Sequence, residues 1–189
     1  APSSDSLYNE NQWRSYSHKT GIKGIFRQFT YRAHIKQRYW SAYNPMNQST
    51  LDKLENYAGL WLRQQVGKNL DFQAEGEYLI GSDYLLKASL SSPWFWASYQ
   101  RTSVSPTLAN QWVYNTSFRW NNDFKNIEFD QLAGGIALTT KHFYLKPAVT
   151  IQRIGSWVYF DSLSTATQAK EAIAVFRTSV SLGGNFGRF

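Results

Sequence analysis

The chain has no cysteine among its 189 residues, so it cannot form disulfides, thiolate metal sites or a cysteine nucleophile. It also has no apolar run of about 18 residues, which excludes a membrane-spanning helix. The hydrophobic fraction is 42% and the mean hydropathy is −0.48. Aromatic residues nevertheless make up 17% of the chain, as 8 Trp, 12 Tyr and 12 Phe. Low hydropathy with many aromatics is unusual for a soluble globular domain.

The most strongly patterned segment is Leu70–Ile80, in which apolar and polar residues alternate. Asp71, Gln73, Glu75 and Glu77 share one parity, and apolar or small residues occupy the other. Successive side chains of a β-strand point to opposite faces, so this segment predicts a strand with one apolar and one acidic face. A strand of this length can cross the hydrocarbon core of a bilayer at a tilt.

The same alternation recurs along the chain and predicts nine strands of membrane-spanning length. They are His18–Phe26, Phe29–Tyr43, Leu54–Val66, Leu70–Ile80, Leu86–Ser91, Phe95–Thr102, Ile127–Leu138, Phe143–Tyr159 and Ala174–Leu182.

The links between these strands alternate in length. Links after odd-numbered strands are short, and most links after even-numbered strands are long, as in Asn44–Lys53, Ser103–Asn126 and Phe160–Glu171. Short turns on one side and long loops on the other are typical of bacterial outer-membrane barrels. We therefore predict an all-β fold, an antiparallel transmembrane β-barrel over residues 15–189 with a polar arm at residues 1–14. Because nine is odd and a barrel cannot leave an open edge in lipid, we expect further chain to close it.

The charged residues predict a basic lumen. The chain has 20 Lys and Arg against 13 Asp and Glu, a net charge of +7. Most of these residues lie at the polar parity of the strands rather than in a tail or along a helix, so we expect no nucleic-acid partner. The predicted acidic strip is Asp71, Glu75 and Glu77. The predicted basic wall is Lys19, Lys23, Arg32, His34, Lys36, Arg38, Arg63, Lys87, Lys146 and Arg177.

A lumen with surplus positive charge favours anions, because charged rings in pores set selectivity. The alternative is that these charges pair with one another and only stabilise a polar interior. The aromatic residues near strand ends (Trp40, Tyr43, Trp94, Trp157, Tyr159 and Phe160) predict a girdle at the membrane interfaces. Sugar stacking in a soluble sheet is the other explanation for them.

Nothing in the sequence indicates catalysis, and we expect no enzyme, metal or cofactor. The three histidines, His18, His34 and His142, lack the spacing of a metal site, and no GxSxG motif is present. Glu75 and Glu77 share a face and resemble a glycosidase pair, but adjacent positions on one strand are more typical of a charged wall.

Three segments resemble the putative porin family of Bacteroidetes: Trp120–Ile127, Gly134-Gly135 before a short turn, and Tyr159–Asp161 after a long alternating strand. The resemblance covers roughly residues 50–189. It implies an outer-membrane β-barrel in a Gram-negative bacterium, and it assigns no functional residue.

We therefore expect a porin of the outer membrane that admits small polar, preferably anionic, solutes by passive diffusion. Its surroundings would be the lipid bilayer or lipopolysaccharide, and Ser103–Asn126 would contact outer-membrane protein partners. One alternative is a structural or accessory barrel in a larger secretion or barrel-assembly complex. A second alternative is a soluble β-sandwich that binds carbohydrate.

Overall fold

The computed structural model describes residues 12–44, 49–114 and 119–184, and almost all of them are β-structure. Nine long strands share one sheet, as the alternation predicts. They are β1 (Gln12–Phe26), β2 (Phe29–Asn44), β3 (Ser49–Val66), β4 (Leu70–Leu79), β5 (Tyr84–Ser91), β6 (Phe95–Val104), β9 (Ile127–Ile136), β11 (Phe143–Gly155) and β14 (Ile173–Gly184).

Short elements fill the links between the long strands. One helical turn, α1 (Leu108–Gln111), precedes a small hairpin of β7 (Trp112–Tyr114) and β8 (Arg119–Asn121). A second small hairpin is formed by β12 (Val158–Phe160) and β13 (Ala166–Gln168). The two-residue strand β10 (Leu138–Thr139) continues β9. None of the described helices is long and apolar enough to cross a membrane.

The long strands form an antiparallel meander in which each pairs with the next long strand along the chain. In the described residues the sheet is open, with β1 and β14 as its edge strands. Unpaired edges cannot face hydrocarbon, so this sheet is an incomplete part of a transmembrane β-barrel. The fold class predicted from the alternation is confirmed.

The connections have the predicted parity at two of the three predicted long links. The prediction of a long link at Asn44–Lys53 was wrong, because β2 ends at Asn44 and β3 already begins at Ser49. Arg27 adopts φ +57° and Gly67 φ +65° in two of the short turns, a left-handed conformation typical of tight hairpins. At the other end of the sheet, residues 105–126 and 156–172 form the long links. We call these two ends the turn end and the loop end. The division of the chain at residue 14 stays a prediction, because residues 1–11 lie outside the described part; β1 starts at Gln12.

Pro147 lies inside β11, which has a partner on both sides. Proline has no N–H to give to a neighbouring strand. Pairing between β9 and β11 stops at Ala148↔Gly135 and resumes in the same register at Leu138↔Leu145. Between them the Ala137 N–H turns to the Trp94 carbonyl on the other side, at 2.6 Å. The sheet accommodates this proline by a local interruption of one ladder.

The strand register gives the sheet two chemically different faces. The polar face carries Asp71, Gln73, Glu75 and Glu77 and all their register partners, and the apolar face is the opposite one. Large side chains of the apolar face are widely exposed; Ile22 is 66% and Val180 65% exposed. Among the side chains that the structure describes, the buried apolar ones are only Ala42, Leu79, Pro106, Ala133 and Ala166. A soluble sandwich requires a core between two sheets, and this sheet has no such core.

The apolar face forms a band without charge. On β11 it runs from Phe143 to Ile151, a length suited to a tilted membrane-spanning strand. Among the described strands, every charged side chain of this face lies beyond the band, toward the loop end. These residues are Arg14, His18, Asp52, Arg101, Glu128, Asp130 and Arg153. Arg101 and Asp130 pair there at 3.6 Å. Charge begins where the strands leave the hydrocarbon.

Tyrosine and phenylalanine border this band, whereas the tryptophans of the nine long strands, Trp13, Trp40, Trp61 and Trp96, all belong to the polar face. Phe26, Phe29, Phe72, Phe95 and Phe143 lie near the turn end, and Tyr16, Tyr39, Tyr78, Tyr84 and Tyr99 near the loop end. These two rows fit the interfacial girdles of a transmembrane barrel. Trp40 differs from the expectation, because it belongs to the polar face and donates its indole N–H to Glu55.

Strands β1, β2 and β3 extend past the others at the loop end. The pairing of β3 with β4 stops at Tyr57↔Leu79, whereas β3 goes on pairing with β2 back to Ser49. We call residues 12–18, 37–44 and 49–56 the raised wall. It adds about 25 Å of strand at about 3.3 Å per residue, and it begins at the polar pair Gln37–Asn56, joined at 3.0 Å.

Candidate solute pathway

The register places every residue of the predicted basic wall and acidic strip on the polar face. Through the register, each lies on the same face as the row of acids on β4. The set spans the whole sheet, from Lys19 and Lys23 on β1 to Arg177 on β14. Their shared face is a finding, and their contact with solute stays a prediction.

Basic residues face one another on the first two strands. Lys19 lies opposite Lys36, and Lys23 lies opposite Arg32. Directly opposite side chains have Cβ atoms about 5 Å apart, and like charges in such positions destabilise a sheet. This arrangement therefore concentrates positive potential at one part of the polar face, where it is best tolerated beside water or an anion.

Two of the three predicted acids are already paired with wall residues. Glu77 accepts from Lys36 Nζ at 2.8 Å and contacts His34 Nε2 at 3.1 Å. Asp71 accepts from Arg63 Nε at 2.9 Å and from the Gln73 amide at 3.0 Å. These carboxylates therefore pair with basic residues, as expected if the charges stabilise a polar interior rather than select anions.

Pairing does not use up the basic residues. In the described part of the chain, Lys19, Lys23, Lys87 and Arg177 make no ion pair within 4.0 Å, although Lys87 lies opposite Glu75 in the register. Two further cations lie over aromatic rings, Arg32 over Trp61 and Lys146 over Tyr144. The polar face therefore keeps surplus, solvent-accessible positive charge.

His34 reaches across β3 to Glu77 on β4, and Gly59 makes this possible. Gly59 is the β3 partner of both residues. A Cβ built on Gly59 would overlap the His34 ring atoms Cε1 and Nε2. The histidine side chain is 8% exposed, and its Nδ1 has no hydrogen-bond partner. The sequence shows an isolated glycine in a strand, which indicates close approach but not the identity of the neighbour.

Replacing Gly59 with alanine is expected to displace His34 and break its contact with Glu77. We expect a loss of about 1–2 kcal/mol in the free energy of unfolding, typical for one broken hydrogen bond that leaves a polar group unpaired. Urea unfolding of the refolded protein in lipid vesicles, followed by tryptophan fluorescence, measures it.

Gly155→Ala is the matched control, because a Cβ there would meet its nearest atom, Glu128 Cβ, at 3.7 Å. Equal stability losses for the two variants would contradict the specific role of Gly59.

A buried carboxylate organises the polar face of the raised wall. Glu55 is 5% exposed and accepts from Arg38 Nε at 2.7 Å, Tyr57 at 2.7 Å and the Trp40 indole at 3.1 Å. Lys53 Nζ lies 3.3 Å from Glu55 Oε1, the oxygen that also accepts the hydrogen bond from Trp40. Burial raises the pKa of Glu55, but the hydrogen bonds from Tyr57, Trp40 and Arg38 outweigh it and lower the pKa to about 2. The carboxylate stays ionised at neutral pH.

Side-chain hydrogen bonds fasten the long links over the loop end. The Asn126 amide donates to the Ser82 carbonyl at 3.2 Å and to the Ser103 hydroxyl at 3.1 Å. Gln168 exchanges hydrogen bonds with the Lys125 backbone, at 3.0 and 2.7 Å, and also donates to the Ser156 carbonyl. The described part of Ser103–Asn126 is therefore tied by hydrogen bonds to two neighbouring links, at Ser82 and at residues 156–172.

No site for a metal is evident: in the stretches that the structure describes, no three His, Asp or Glu side chains converge. The polar face offers paired and unpaired charges along a wall, which is an arrangement for guiding solutes through water.

Comparison with known proteins agrees with this geometry. The family described as "Putative porin" matches residues 3–189, almost the whole chain. No curated protein and no solved structure matches it. The family match supports a transport protein of the outer membrane and leaves the bacterial group untested. The fold has the uncharged apolar band and the charged opposite face that a porin requires. Because the family match also covers almost the whole chain, the chain belongs to the putative porin family.

Proposed function

We propose that this protein is an outer-membrane porin through which small polar solutes, anions preferentially, diffuse passively. The observation that carries the proposal is the charge balance of the polar face. Its carboxylates Asp71 and Glu77 are paired, whereas Lys19, Lys23, Lys87 and Arg177 have no acidic partner within 4.0 Å among the described residues. Free positive charge along a water-filled wall raises the local concentration of anions.

No chemical step is needed for this function. Wall charge and pore width select the solute, and the concentration gradient drives it. The pathway is completed by strands beyond those described, because β1 and β14 leave open edges. The apolar band would contact the bilayer, and the charged and aromatic rows at its loop end would contact lipopolysaccharide in the outer leaflet.

Planar-bilayer recording of the full-length protein tests whether it forms a pore. We expect stepwise conductance that scales with salt concentration, because an open aqueous lumen conducts ions without gating. Folding is checked beforehand by the strand signal in circular dichroism.

If the folded and inserted protein shows no conductance, the proposal that it is a porin is rejected. It would favour the accessory barrel instead, with Ser103–Asn126 as its surface for outer-membrane protein partners. Crosslinking from an exposed position such as Asp123 would then identify those partners.

A further inference from the structure

A cavity of about 390 Å³ lies on the polar face at the loop end, outside the apolar band. The raised wall forms one side of it with Trp13, Trp40, Arg38 and Lys53, and the links at Asp83 and Gln111 form the other. A cavity of this size lies at the lower end of the range for small-molecule sites. Solutes that approach from the loop end reach this cavity before the paired charges on β4.

Two indoles contribute apolar surface to a wall that is otherwise polar. Trp13 is 51% exposed, and its register partner Ala42 is completely buried. Trp40 lies on the neighbouring strand, opposite Ser15, two residues along from Trp13. Its bond to Glu55, at 3.1 Å, runs in the plane of the ring and fixes the orientation of the indole. Trp40 is therefore held in place, and both indoles lie on the polar face, away from lipid.

The charges of the cavity cancel, unlike those of the wall below. Arg38 and Lys53 both bind Glu55, and Asp83 adds a second carboxylate that is held by Ser105 at 2.7 Å. Arg14 also lines the cavity, but the register places its side chain on the opposite face of the sheet. The two cations and two anions on the cavity side leave no net charge to attract an ion. Arg38 and Lys53 remain 43% and 46% exposed, so part of their N–H donors can reach a ligand. The Gln111 amide donates to the Pro106 carbonyl at 3.0 Å, and its oxygen remains an acceptor.

We propose that this cavity binds a neutral oligosaccharide at the mouth of the barrel. Sugar rings combine apolar C–H faces, which pack on indoles, with hydroxyl groups that both donate and accept hydrogen bonds. A site with aromatic faces, mixed donors and acceptors and no net charge matches that chemistry. The assignment goes beyond the anion pathway, because it names a second class of ligand and a separate place for it.

Titration of the folded full-length protein in detergent with maltotriose, cellotriose and mannotriose tests the site, with trigalacturonate as the charged comparison. Tryptophan fluorescence and calorimetry report binding. We expect saturable binding of at least one neutral trisaccharide. Trp13→Ala should weaken it about tenfold, the value of one aromatic contact at the upper end of its range. Lys53→Gln should weaken it less, since the amide still donates.

Trp94→Ala is the matched control, because Trp94 is an exposed indole in a short turn at the other end of the sheet, 62% exposed. The site is overturned if none of the neutral sugars binds, if Trp94→Ala weakens binding as much as Trp13→Ala, or if trigalacturonate binds at least tenfold more tightly than every neutral sugar. Lys53→Gln keeps the test valid should Trp13→Ala misfold. Conductance is recorded separately, so a conducting protein without sugar binding rejects only this site, and sugar binding without conductance rejects only the porin.

Discussion

Replacing Lys23 and Arg32 with serine is expected to lower the anion-to-cation permeability ratio about 30-fold at low salt. The two side chains lie opposite each other on the polar face, and neither has an acidic partner within 4.0 Å among the described residues. A unit charge about 8 Å from a permeating ion in water contributes about 0.5 kcal/mol. Two such charges stabilise an anion by about 1 kcal/mol and destabilise a cation by the same amount, so their removal changes the ratio by about 2 kcal/mol, or about 30-fold. Reversal potentials in a potassium chloride gradient across a planar bilayer measure the ratio.

The control removes the same charge away from the polar face. Lys68 and Lys141 lie in two short turns at the turn end, so their replacement with serine should leave the ratio within about twofold of the unchanged protein. Screening supplies a second check, because the Debye length falls to about 3 Å at 1 M salt. The difference between the Lys23/Arg32 variant and the unchanged protein should then shrink. An unaltered reversal potential at low salt would show that this pair does not border the ion path.

Replacing Val149 with arginine is expected to prevent most of the protein from inserting into a bilayer. Val149 lies on the apolar face near the middle of the uncharged band on β11, and it is 42% exposed. Arginine on the lipid-facing side of a barrel strand costs about 2–4 kcal/mol near the bilayer midplane. A cost of this size lowers the equilibrium constant for folding into the bilayer by a factor of about 30 or more. The assay is refolding into vesicles across a urea series, with the folded band resolved by gel mobility without heating.

Ala148→Arg is the matched control, because it makes the same substitution one residue away. Ala148 belongs to the polar face, where its register partners are Gly135 and Ser179. Arginine there faces water, so we expect the free energy of unfolding to change by less than about 1 kcal/mol. If Ala148→Arg blocks insertion and Val149→Arg does not, the assignment of the two faces is reversed.

Much of the fold could be predicted from local pattern. Alternation of period two located all nine long strands and put each predicted wall residue on the correct parity. Strand ends were less accurate. β3 starts at Ser49 rather than Leu54. β11 ends at Gly155 rather than Tyr159, and the next residue, Ser156, adopts φ +54°. Polar residues of the raised wall resemble a loop in the sequence, because outside the membrane neither face of a strand has to be apolar.

The candidate site was only partly accessible to sequence reasoning. Glu55 was missed although it lies inside the predicted strand Leu54–Val66, where the parity of Arg63 places it on the polar face. The bridge from His34 over Gly59 to Glu77 joins residues on three strands, so no spacing along the chain reveals it. The prediction for Trp40 relied on the general preference of tryptophan for membrane interfaces. In the structure its hydrogen bond to Glu55 holds it on the polar face instead.

The sequence by itself determined the strands and their two faces. Side chains alternate by necessity along an extended backbone, so one parity of the chain had to be apolar to meet lipid and the other polar. Tertiary structure decided which charges are paired and which are free, because pairing depends on the register between strands far apart in sequence. It also decided that β1, β2 and β3 extend past the other strands as the raised wall, because their pairing continues where the pairing of β3 with β4 stops. Leu70–Ile80 illustrates both contributions. Its alternation of polar and apolar residues is set by the sequence, whereas the partners of Asp71 and Glu77 depend on the register between strands.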